Sequence, residues 1–111
     1  MIQLEPENWI GKEFPLTSRL KHVDNCETFM QGIWTIILIH TECKKCLQLI
    51  ADTEKKKDKN VVIIEIPSDT VSAPAKTIFP YFKLDDNNGW YVTTPFIIKL
   101  SDGICVSGSE P

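Results

Sequence analysis

Cys43 and Cys46 stand two residues apart in "TIILIHTECKKCLQLIADTEKKK", residues 35–57, where an apolar run gives way to an amphipathic, lysine-tailed segment. Two thiols at this spacing suit reversible thiol-disulfide exchange, half of a tetrahedral zinc site, or simple burial as small apolar side chains. Helical spacing begins at the pair. Cys46, Leu47, Ile50 and Ala51, with Thr53 or Glu54 beyond, recur on one face, while Lys44, Lys45, Gln48, Asp52 and Lys55 point away from it. A helix from about Cys43 to Lys57 is therefore expected. Its first turn carries unpaired N–H groups and the positive end of the macrodipole, which favour a thiolate on Cys43, and Cys46 lies one turn deeper within bonding reach. Lys44 and Lys45 add positive charge between the two sulfurs, which favours the thiolate further, stabilises the reduced form and makes the couple more oxidising. The mechanism that follows is attack by Cys43 on a disulfide, formation of a mixed disulfide, and its displacement by Cys46. The partners are then protein disulfides or dithiols and a redox partner protein, and neither a metal nor an organic cofactor is required.

The flanking segments define what positions the pair. "IWTIILIH", residues 33–40, is nearly all β-branched or aromatic without strict alternation, which suits a central strand covered on both faces. "NVVIIEI", residues 60–66, is a second such strand, and the intervening helix is long enough for a crossover, so the two strands are expected to be parallel neighbours. "APAKTIFPYFKL" suggests a short helix from Ala75 to about Tyr81, capped or distorted by Pro80. "DDNNG", residues 85–89, signals a turn. "PFIIKL" and "ICVSG" read as two strands joined through Ser101, Asp102 and Gly103 with the Asp-Gly preference of a primed hairpin turn. Residues 1–32, with Pro6, Gly11, Pro15 and Gly32, read as an irregular lead-in with short strands and a turn of helix around Cys26 to Gln31. The whole, residues 1–111, is expected to form one domain with its core in 33–108.

"IWTIILIHTECKKCLQLI", "VVIIEI" and "TTPFIIKLSDGICVSG" together resemble the thioredoxin-like superfamily: strand, redox helix, strand, a proline-led strand and an edge strand. The lead-in "IGKEFPLTSRL" before "MQGIWTIILIHTEC" resembles the redoxin branch, which includes membrane-anchored or exported thiol-disulfide oxidoreductases. The resemblance spans roughly residues 10–108 and implies an α/β fold with a central mixed β-sheet of about four or five strands flanked by helices. It also implies that Cys43 is the nucleophile, Cys46 the resolving thiol, and Pro95 a cis-proline that faces them and presents the Thr94 backbone to a substrate chain. Three departures stand out. Glu42 occupies the position where thioredoxins usually carry a tryptophan, their buried acid falls at Ile37, and no C-terminal helix follows the last strand. Proton transfer from Cys46 then needs another group, with Glu42 or water as candidates and His40 a weaker one, while Glu42 opposes the lysines electrostatically. The missing helix suggests an excised domain, or a sheet face covered by a partner, a second copy or the lead-in.

Bulk properties narrow the function classes. With 42% hydrophobic residues in 111, the chain can build one core without disulfide staples. A net charge of −3 excludes the broad positive field of a nucleic-acid binder, and Lys55, Lys56 and Lys57 read as a solvated helix end. The longest apolar run, Ile36 to Ile39, falls far short of the ~20 residues of a membrane span, so membrane attachment would need an anchor outside this chain. Glu5, Pro6, Glu7 and Asn8 stand where a secretory signal would be basic and then apolar, which implies a cytoplasmic protein or an export segment already removed.

Two rival readings remain. A zinc site could draw on Cys26, Cys105, His22 and His40, although none forms a second close pair. A redox-inert interaction module would keep the fold and leave the thiols incidental. Cys26 and Cys105 otherwise read as small buried residues, and His22 and His40 as surface or strand-end residues. Trp9, Trp34, Phe79, Tyr81 and Phe82 read as packing residues, with Trp90 and Tyr91 as candidates to flank the redox pair.

Overall fold

The computed structural model describes residues 2–3, 6–14, 20–21, 31–40, 43–56, 60–66, 77, 79–84, 90–91 and 95–109. The frame is a six-stranded mixed sheet built on β3 (Ile33–Ile39), β4 (Val61–Glu65) and β7 (Phe96–Ser101). With β2 (Leu20–Lys21), β5 (Tyr81–Leu84) and β8 (Ile104–Ser109), the order is β2-β5-β4-β3-β7-β8. β3, β4 and β5 run parallel, and β2, β7 and β8 are antiparallel to their neighbours. Two short strands, β1 (Ile2–Gln3) and β6 (Trp90–Tyr91), pair separately. The single α-helix among the described residues, α1 (Lys44–Lys55), connects β3 to β4. This is a thioredoxin-like arrangement, and among the described residues no helix follows β8.

β-branched side chains account for the central strands. All five residues of β4 and the last four of β3 are buried, as expected of strands covered on both faces. Alternation divides their side chains. Ile37, Ile39, Val61 and Ile63 face α1 and pack with Cys46 and Ile50. Ile36, Leu38, Val62, Ile64 and Ile66 face the other way, into a larger cluster with Phe82, Phe96, Ile98, Leu100 and Cys105. The lead-in contributes to that second face: Phe14 belongs to its core, Trp9 packs on it, and the two rings meet edge-on at 5.8 Å. Trp9 closes a 3-10 turn, Pro6–Trp9, so the lead-in supplies cover of the kind a helix would otherwise give.

The strand ends are fixed by backbone chemistry. Asp102 and Gly103 both have positive φ, 49° and 83°, as a two-residue hairpin turn between β7 and β8 demands. Asp102 is also strapped to Gly32, donating its N–H to the Gly32 carbonyl while its carboxylate accepts the Gly32 N–H at 2.8 Å. Asn60, at φ 59°, turns the chain into β4 and donates from its amide to the Ile33 carbonyl.

Three expectations need correction. The helix expected to extend to Tyr81 does not reach it, because Tyr81 opens β5 beside Ile63 of β4, and Pro80 accepts the Ile63 N–H through its carbonyl. Tyr81 and Phe82 pack on opposite faces of the sheet, the period of a strand; residues 75, 76 and 78 lie outside the described residues. The sheet has six strands, because β2 adds two residues at an edge where the sequence carries no clear pattern. On α1 the buried stripe is Cys46, Ile50 and Thr53 with Leu49 beside it, whereas Leu47 is 42% exposed and Ala51 half-buried. The helix is rotated toward the i, i+3, i+4, i+7 face, which leaves the Leu47 side chain exposed.

Candidate active site

The site forms where β3 ends and α1 begins. Helix initiation leaves the first N–H groups unpartnered within the helix, and here a sulfur meets one of them. Cys43 is the N-cap of α1, with extended backbone (φ −85°, ψ 109°), and its Sγ accepts the Cys46 N–H at 3.1 Å. This is the geometry that a serine or aspartate cap normally supplies. Hydrogen bonds hold the turn around it: Cys43 donates its N–H to the His40 carbonyl, and Leu47 donates to the Cys43 carbonyl. His40 is itself pinned, with Nδ1 3.0 Å from the Ile66 carbonyl. A carbonyl can only accept, so Nδ1 carries the hydrogen.

The two cysteines differ in access. Cys43 is half-buried, whereas Cys46 is wholly buried among Ile37, Ile39, Ile50, Val61 and Ile63. One sulfur can meet a partner while the second waits behind it. Lys44 and Lys45 are exposed on the first turn, which contains no acidic residue. Both charges oppose the usual preference for anions at a helix N-terminus.

Pro95 is buried immediately before β7, whose Phe96 pairs with Leu38 of β3. It therefore lies at the end of the sheet from which the Cys43 turn emerges. Glu42 and Thr94 lie outside the described residues, as do Cys26 and His22. Trp90 and Tyr91 are placed only as strand β6, paired with β1. Cys105 packs in the cluster on the far side of the sheet from the pair, and burial pushes its thiol pKa up. Among the described residues no three His, Cys, Asp or Glu side chains converge on a common metal position.

One residue of this region was not singled out from sequence. Glu65, the last residue of β4, is 5% exposed, and the Tyr81 hydroxyl donates a hydrogen bond to its carboxylate. The only sequence signal is an acid inside the apolar run "VVIIEI".

No family model matches the chain, and neither the curated proteins nor the solved structures compared with it give a match. No helix among the described residues is long and apolar enough to cross a membrane. The topology and the spacing of the two cysteines are those of the thioredoxin-like superfamily.

Proposed function

We propose that this chain is a protein thiol-disulfide oxidoreductase working through a Cys43/Cys46 dithiol-disulfide couple. The observation that carries the reading is the capping contact. The Cys43 sulfur sits against the Cys46 N–H at the positive end of a 12-residue helix, where a thiolate is stabilised both by that hydrogen bond and by the macrodipole. Lys44 and Lys45 support it from a second direction. They disfavour the helix start by roughly 0.3–1 kcal/mol each, yet they stabilise a neighbouring anion. A local rule broken at one place is what a functional constraint produces.

The half-buried Cys43 attacks a disulfide of a protein substrate, and one substrate sulfur leaves as a thiolate. Cys46 then attacks Cys43 Sγ, the second substrate sulfur departs, and the internal bridge remains. In this reading Pro95, buried just before β7, takes the part of the cis-proline of the family resemblance, and Thr94 before it that of the residue whose backbone meets a substrate chain. Glu42 and the two lysines tune the nucleophile. The lead-in is docked on the sheet: Gly11, at φ 85°, donates its N–H to the Cys105 carbonyl on β8, and Lys12 accepts the Cys105 N–H through its carbonyl.

The test is reduction of insulin disulfides by dithiothreitol, catalysed by wild type or by Cys43→Ser. The serine variant is expected to lose the acceleration entirely. Equal rates would instead identify a redox-inert interaction module.

A further inference from the structure

The mechanism leaves one proton without a destination. Cys46 must lose its proton to attack, yet it is buried among aliphatic side chains where no bulk water collects it. A buried thiol is a poor nucleophile, because desolvation disfavours its anion.

The acids can be sorted by place. Of the carboxylates whose side chains are described, Glu13 is exposed beside β8, Asp52 lies on the outer side of α1 bonded to Gln48, and Glu54 near the end of α1 accepts from Thr77. Asp102 is in the hairpin turn at the opposite end of β7 from Pro95. Glu65 alone is buried, and it occupies the C-terminal end of β4 in register with Ile39, the last residue of β3 before the Cys43 turn. Since Val61 and Ile63 face α1, alternation turns Glu65 to the same side. Tyr81, which packs against the same cluster as Cys43 and Cys46, holds its carboxylate.

We propose that Glu65, oriented by the Tyr81 hydroxyl, is the proton acceptor for Cys46 in the second half of exchange. This inference rests on the oxidoreductase reading. As the Cys46 S–H bond breaks, the proton passes to the Glu65 carboxylate. The sulfur's electron pair forms the bond to Cys43 Sγ, and the bond from Cys43 to the substrate sulfur breaks with its pair leaving on the substrate as a thiolate. That thiolate takes a proton from solvent. Two electrons have then moved from the dithiol to the substrate disulfide. Among the described side chains, the titratable groups on the elements that neighbour Glu65 are the Tyr81 phenol of β5, His40, next after Ile39, and the Cys43 and Cys46 thiols at the start of α1; the backbone position paired with Glu65 on β5 is Lys83.

The experiment separates the two chemical steps. The reduced full chain is mixed with glutathione disulfide, quenched in acid at intervals, and weighed by mass spectrometry, which distinguishes the glutathionylated intermediate from the bridged product. For Glu65→Gln, formation of the intermediate is expected to be unchanged. Its resolution should be about ten- to a hundredfold slower at neutral pH. The gap closes toward pH ~10, where hydroxide replaces the carboxylate as base, and Glu65→Asp recovers part of the neutral-pH rate. Should the glutamine variant fail to fold, the aspartate variant carries the test through the same pH-dependent deficit. Resolution unchanged by the substitution, or slowed equally at every pH, overturns the role of Glu65. A wild-type chain that never acquires glutathione at Cys43 overturns the oxidoreductase reading, and this inference with it.

Discussion

The Cys43 sulfur accepts the backbone N–H of Cys46 at 3.1 Å, so the residue that starts α1 is also the residue proposed to start the chemistry. One contact serves as helix cap and as anion site, and substitutions can separate the two roles.

Cys43→Ser keeps a capping oxygen and removes the nucleophile, whereas Cys43→Ala removes both. In urea unfolding, the alanine variant is expected to be about 0.5–2 kcal/mol less stable than the serine variant, with both inactive. Equal stability of the two would show that the sulfur contributes nothing to the helix start.

Replacing Lys44 and Lys45 together with glutamine removes two positive charges from the first turn of α1. The midpoint for alkylation of Cys43 by iodoacetamide should rise by roughly half to one pH unit, and the reduction potential should become more negative. Both residues are exposed, so the difference should shrink in high salt. An unchanged midpoint at low salt would remove the lysines from the account.

Ile50 sits 3% exposed one turn beyond Cys46 and joins α1 to β3 and β4. Ile50→Ala is expected to cost about 2–5 kcal/mol in denaturant unfolding. Folded protein should retain alkylation of Cys43, because the cap lies two turns away.

Much of this arrangement is legible in the residues. The β-branched runs around Ile36 and Ile63 can be satisfied only by strands buried on both faces, the Asp102-Gly103 pair by a tight hairpin, and the onset of helical spacing at Cys43 by a helix start. Less legible features depend on the partner rather than the segment. Tyr81–Leu84 is a strand because β4 offers Ile63 an open edge, and Pro80 upstream hides that behind an apparent helix signal. Leu47 is apolar but lies off the buried stripe, since helical periodicity leaves the face ambiguous by one residue when Leu47, Leu49, Ile50 and Ala51 crowd together. Glu65 is invisible from sequence because its significance comes from Ile39 and Tyr81, both distant along the chain.

Burial raises the Cys105 thiol above its ordinary pKa of 9.0. The unfolded chain therefore ionises this thiol first as pH rises. The stability from keeping it protonated is fully present below the ordinary value and is lost as pH climbs through the higher folded one. Urea midpoints measured across this range should fall more steeply for wild type than for Cys105→Ala. Parallel curves would mean that Cys105 is not protected by the fold.

The most direct measurement is equilibration of the chain with glutathione buffers of graded potential, followed by peptide mapping under acid quench. The account predicts a single reversible two-electron transition in which each chain loses two hydrogens and the only bridge joins Cys43 to Cys46. Persistent thiols at both positions under oxidising conditions, or a bridge that pairs either with Cys26 or Cys105, would contradict it.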